Sequence, residues 1–354
     1  MLRVTGDEAP LSWQLSEYKA GLWIEPTNPY SRDRYASTLL SMGRTDEGLS
    51  EITRSVAESP SMKTHEYLKD DSFLRFSAAE QSAVEEGFKQ AIARGYPEAV
   101  NGLAGFYTKL NRFEDQGRLY EEAALKEADS AKKAELLVNA GLAYLKEAGS
   151  REQRAGSETQ RVAGKEVSAK GKEQNIEKIR NSESSILPSA LTPSQSASAS
   201  ELRAPSSMLH AAAERLFRNA IAANPTDARA YQQLIMILAA RKDLAGAKEI
   251  ISQGIKNGAP ALPLYLSLAA AAQKGGSPEE TKAALDSAKA EVVKLIKNGE
   301  SPYTLYIALA DGSRRAGARP SAALCGHALA FGEPLFRKTK LRPRSALLEQ
   351  NCQD

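Results

Sequence analysis

Cysteine and histidine are scarce: the 354 residues hold two Cys and three His. Two Cys cannot form a disulfide framework. With so few imidazoles and thiolates, a zinc site would have to be nearly all carboxylate, a donor set that suits zinc poorly. No metal, cofactor or thiol chemistry is therefore expected. Charge of one sign is lacking too, with 47 Lys plus Arg against 44 Asp plus Glu and a net charge of +3. Both signs are scattered, so no global field would hold nucleic acid or an anionic membrane. Long apolar runs are absent: the most apolar windows, 261–272 and 322–331, fall well short of the roughly 20 residues that cross a bilayer. Met1 to Gln14 carries Asp7, Glu8 and Pro10 where a secretory signal needs an unbroken apolar stretch. A soluble, cytoplasmic protein with no membrane span in this chain is expected.

What the chain has instead is a recurring grammar. Val100, Leu103, Ala104 and Tyr107 sit on one helical face, a polar turn follows at Asn111, and Tyr120 and Ala123 face back. Tyr231, Leu234, Ile235 and Leu238 precede a turn at Lys242 and Asp243, then Ala247, Ile251 and Gly254. Tyr265, Leu268, Ala269 and Ala272 precede Gly275 and Gly276, then Leu285 and Ala288. Phe217, Ile251 and Leu285 are each 34 residues apart, as are Ala220, Gly254 and Ala288. Tyr35, Ala36 and Leu39 with a turn at Gly43 open the series; Tyr306, Leu309 and Ala310 with a turn at Gly317 close it.

On these residues the chain resembles the tetratricopeptide repeat family, whose unit is W-x2-L-G-x2-Y, then A-x3-F, then P. Ala213, Phe217, Ala220 and Pro225 fit the second half in full, and Leu137, Ala140, Gly141 and Tyr144 fit the first. The expected fold is all-α, a right-handed superhelical solenoid of antiparallel helix pairs. Setting 149–206 aside leaves room for about seven pairs of this length, a leading half-repeat and a tail.

Four stretches are expected: helical repeats over 1–148, a low-complexity disordered insert over 149–206 within one repeat, further repeats over 207–333, and a basic tail over 334–354. No Phe, Trp or Tyr occurs between Tyr144 and Phe217, so that stretch lacks the large side chains of a core. Its first half, 150–180, is compatible with a transient helix; its second half, 181–207, has ten Ser and three Pro and reads as linker. An untethered spacer and a binding or phosphorylation segment both fit it. The tail carries Arg337, Lys338, Lys340, Arg342 and Arg344 with no acid between Glu333 and Glu349, as a solvated terminus or a dock for an acidic partner or anionic lipid would.

No active site is legible. Gly171-Lys172 and Gly164-Lys165 are each followed by Glu where a phosphate loop needs Ser or Thr. H-E-x-x-H, C-x-x-C and G-x-S-x-G are all missing. His65, His210 and His327 are far apart, none beside a plausible nucleophile, and Cys325 reads as a small buried side chain. Asp70-Asp71 reads as an N-terminal helix signal.

In the tetratricopeptide family, the first helices of successive units line a concave groove that binds protein segments. The resemblance therefore implies a non-enzymatic scaffold with a protein or peptide partner. The residues that would face such a groove lie opposite the apolar stripes: Asn101, Lys109, Asn139, Lys146, Gln232, Met236, Gln273, and Asp311 with Arg314. Amides and a few cations suit hydrogen bonding to an extended backbone. Asn101 and Asn139 do not sit equivalently in their units, so the family's carboxylate clamp is not expected. The first third of the chain carries Glu25-Pro26-Thr27-Asn28-Pro29-Tyr30, Arg34-Tyr35, Ser59-Pro60-Ser61 and Gly95-Tyr96 followed by Leu103-Ala104-Gly105-Phe106-Tyr107. On these segments residues 15–125 resemble the soluble repeat tails of some bacterial O-antigen ligase or polymerase-like membrane proteins. It implies an accessory part or fragment of an envelope enzyme, membrane-associated if a detached tail, with no transferase residue of its own.

Overall fold

The structure is a computed structural model and describes residues 10–180, 205–275, 277–300, 302–315 and 317. Among those residues the chain is all-α, with no strand. Helices run in the order α1 (Leu11–Ile24), α2 (Pro29–Ser41), α3 (Thr45–Glu58), the one-turn α4 (Glu66–Lys69) and a 3-10 turn (Ser72–Arg75). Then come α5 (Ala78–Ala93), α6 (Ala99–Lys109), α7 (Phe113–Lys126), α8 (Ser130–Arg180), α9 (Ser206–Ala223) and α10 (Ala228–Ala240). The last four are α11 (Leu244–Lys256), α12 (Ala261–Lys274), α13 (Pro278–Lys297) and α14 (Pro302–Arg315).

Helix boundaries follow local chemistry. Asn28 accepts a hydrogen bond from the Ser31 amide ahead of Pro29, whose missing N–H costs nothing at that position. Ser77 and Glu80 form a reciprocal capping box at the start of α5. The expected turns at Gly43, Asn111 and Lys242 are left-handed, with φ of 75°, 55° and 64°. Only the first is at a residue without a Cβ to strain there.

The described residues divide into two compact units, with the chain passing between them after Leu125, Gly141 and Ala212. The first, 1–125 with 142–212, has a core of Ile52, Val56, Leu68, Phe73, Val84, Phe88, Leu103, Phe106 and Tyr107. Here α1 packs on α2, α2 on α3, α3 on α5 and α5 on α6. Arg32 is buried and fastens α2 to α3. Its guanidinium lies 2.7 Å from Glu51 and 3.1 Å from Glu58, and it donates to the Pro26 carbonyl. The second unit, 126–141 with 213–354, has a core cluster of Leu262, Ala288, Val292, Leu305, Leu309 and Ala310. In it α12 packs against α10, α11, α13 and α14.

The helix α8 runs past Ala148 to Arg180, so the first half of the expected loop is helical backbone. Ala, Glu, Lys, Gln and Arg dominate 150–180, and each loses little on entering a helix. The serine-rich part over 181–204 and the basic tail over 334–354 lie outside the described residues, as do Cys325 and His327.

Two tyrosines, Tyr107 and Tyr144, tie helices in the same way. The Tyr107 hydroxyl donates to Glu85 at 2.9 Å and the Tyr144 hydroxyl to Glu121 at 3.2 Å. Burial first, then the Glu121 charge, push the Tyr144 phenol up to about 12. Burial and Glu85 raise Tyr107 in the same direction. An unfolded tyrosine ionises near ~10. The stabilisation linked to this raised pKa is therefore full below that pH and is lost as pH climbs from there towards 12. Ultraviolet titration of the native protein should show Tyr144 ionising after the exposed tyrosines, and Tyr144→Phe should reduce the alkaline loss of stability. A native Tyr144 that titrates with the exposed tyrosines would contradict this.

Candidate functional site

The connection from Ser59 to Ser77 interrupts the alternation of long helices. Its Pro60 and its turns at Ser61 and Thr64 precede a single turn of α4, and Asp71 then takes φ of 62°. Lying against α2, this irregular segment leaves a cleft of about 630 Å³ in the first unit. Leu40, Ile52, Tyr67 and Phe76 supply apolar lining, and Tyr30, Arg34, Lys63, Lys69 and several carboxylates supply the rest.

A buried strut fixes the cleft wall. His65 is fully buried; its Nδ1 lies 2.9 and 3.1 Å from the two Asp33 carboxylate oxygens, and its Nε2 lies 2.8 Å from the Ser59 carbonyl. Ser55 Oγ donates to Asp33 at 2.6 Å. Ser, His and Asp are the residue types of a hydrolytic triad, but Ser55 bonds the carboxylate rather than the imidazole, and Nε2 faces a main-chain carbonyl. That geometry pairs no nucleophile with a base. It joins α2, the end of α3 and the start of α4.

The charges of the cleft are unevenly engaged. Asp33 is held by His65 and Ser55, and Glu66 lies 3.2 Å from Arg34, whose guanidinium is 5.3 Å from the Tyr30 ring centroid. Asp70 accepts from the Ser72 hydroxyl at 2.7 Å and its amide at 2.9 Å, which hold its carboxyl below the usual range. Glu80 serves the capping box. The Lys63 and Lys69 side chains line the same cleft, and their ammonium groups have no hydrogen-bond or ion-pair partner among the described residues. Tyr67 packs between His65 and Phe76, with ring centroids 5.4 and 5.3 Å away. Its hydroxyl is buried without a partner among the described residues; burial, then Asp33, hold it well above the ordinary phenol value.

The residues expected to line a groove are distributed over both units. In the first, Asn101 is exposed, Lys109 is taken up by Asp71 at 2.8 Å, and the Lys146 ammonium lies 5.9 Å from the Phe113 ring centroid. In the second, Asn139 is half-buried, and Gln232 donates to the Pro263 carbonyl at 3.3 Å, tying α10 to α12. Met236, Asp311 and Arg314 are exposed there, and Gln273 lies against Gly317. Asp70 and Asp71 stand at the start of the 3-10 turn Ser72–Arg75, where Asp70, which also ends α4, accepts from the Ser72 amide; α5 starts after Ser77. Lys63, Tyr67, Lys69 and Phe76 carry no expected role in the sequence, and Tyr30 and Arg34 only a family resemblance. The available signal was the cluster Tyr67, Phe73 and Phe76 in a stretch without helical periodicity.

The chain matches no protein-family model and no curated protein.

Proposed function

We propose that this protein is a non-enzymatic scaffold, a right-handed solenoid of tetratricopeptide-like helix pairs, that binds an extended protein segment in the cleft beside α2. The solenoid reading is supported by α12, which packs on its neighbours α11 and α13 and on its next-but-one neighbours α10 and α14. Burial of Phe217, Ile251 and Leu285 at 34-residue spacing supports it too.

One observation carries the binding reading. The carboxylates of the cleft are engaged by the chain's own donors, while Lys63 and Lys69 are not. Beside them lies an apolar and aromatic lining. A segment with an acidic side chain next to an apolar or aromatic one satisfies both.

Selection from a random peptide display library against the full chain should enrich such segments, with affinity that falls as salt rises. Lys63→Glu combined with Lys69→Glu should weaken the selected peptides at least about tenfold. The triple change Asn101→Ala, Asn139→Ala and Gln232→Ala should leave them unaffected. Loss of binding in the triple variant instead would move the site to the polar faces of α6, α8 and α10. Indifference to the lysine reversals would remove the cleft from the proposal.

A further inference from the structure

Both tryptophans of the chain, Trp13 and Trp23, lie on α1, 60% and 86% exposed. Ile24 beside them is 78% exposed. The face that α1 turns to α2 carries Gln14, Leu15, Tyr18, Gly21 and Leu22, all half-buried, with the Cβ position of Gly21 3.2 Å from Ser31 Oγ. At about 100° per residue, Trp13, Ala20 and Ile24 fall together on the opposite face, with Trp23 at its edge. A helix apolar on two opposite faces is built to be covered on both, and α2 covers one.

We infer that the other face is covered by α1 of a second copy of this chain, antiparallel across a two-fold axis. The pattern is self-complementary. With the axis crossing between Glu17 and Ala20, Trp13 meets Ile24 of the second copy and Glu17 lies against Ala20 of the second copy. A parallel pairing would set the two copies of Glu17 side by side, which costs free energy. Covering Trp13, Trp23 and Ile24 removes about 500 Å² per copy, or about 1,000 Å² in all, the size of a weak, reversible interface. This inference is independent of the cleft and stands or falls apart from it.

Sedimentation equilibrium of the full chain across the micromolar range tests it. A reversible dimer is expected. Because both tryptophans sit on the face, their fluorescence should shift to shorter wavelength as concentration rises. Trp13→Glu and Ile24→Glu should each raise the dimer dissociation constant at least about tenfold, with the helical circular dichroism unchanged. Ala20→Lys, facing Glu17 of the second copy, should hold or tighten the dimer, whereas Ala20→Glu should weaken it at least about tenfold. A monomer throughout would overturn the inference. So would a dimer indifferent to the substitutions, equal effects of the two Ala20 changes, or insertion of the tryptophans into lipid vesicles in place of self-association.

Discussion

Replacing Asp33 by alanine is expected to lower the unfolding free energy by about 3–5 kcal/mol, the usual cost of removing one side of a buried, hydrogen-bonded pair. Among the described residues, that carboxylate accepts from Ser55 Oγ and faces His65 Nδ1. Without it two buried donors lose their partner, and each such loss costs about 1–3 kcal/mol. Asp33→Asn keeps one oxygen and should cost about half as much or less. Urea titration measures both. The effect should also be local. Amides of 59–77 should exchange faster than those of α5 in the alanine variant, because the strut joins the start of α4 to α2 and to the end of α3. A stability within about 1 kcal/mol of the parent, or uniform exchange across the first unit, would show that the strut does not hold the cleft wall.

That strut also marks where the sequence stops being readable. Long helices were legible because Tyr107, Tyr144 and Tyr231 recur with Leu and Ala at helical spacing, and each is buried. Turns were legible at Gly43, Asn111 and Lys242 because polar or small residues break the stripe where the chain must take positive φ. The cleft was not. His65 acquires its role from Asp33, 32 residues upstream, and no local pattern encodes that pairing. The groove candidates carry a related ambiguity: a polar residue opposite an apolar stripe is equally suited to bind a partner or to tie two helices. Gln232 and Lys109 have been used for the second purpose, on the Pro263 carbonyl and on Asp71. In 150–180 the composition was compatible with a helix, and intrinsic helix propensity carries α8 to Arg180.

The register of the second unit leads to the other large expected effect. Phe217 is fully buried, and its ring lies where a Cβ on Gly141 would come within 2.6 Å of Cε1. Phe217→Ala should therefore cost about 3–5 kcal/mol through lost burial and the cavity left behind. Gly141→Ala should cost about 1–3 kcal/mol by overpacking, since the ring edge has to move. Because the two changes act on one contact from opposite sides, their energies should not add. Gly141→Ala with Phe217→Leu should be more stable than the sum of the single losses, as the new methyl occupies space that the ring has vacated. Ile251→Ala and Leu285→Ala, at the same register 34 and 68 residues on, should each cost about 2–5 kcal/mol. Denaturant unfolding of the single and double variants gives the coupling energy directly. Strict additivity at Gly141 and Phe217 would mean that the glycine is not there to admit the ring. Small losses at Ile251 and Leu285 would mean that the 34-residue spacing is not the packing repeat.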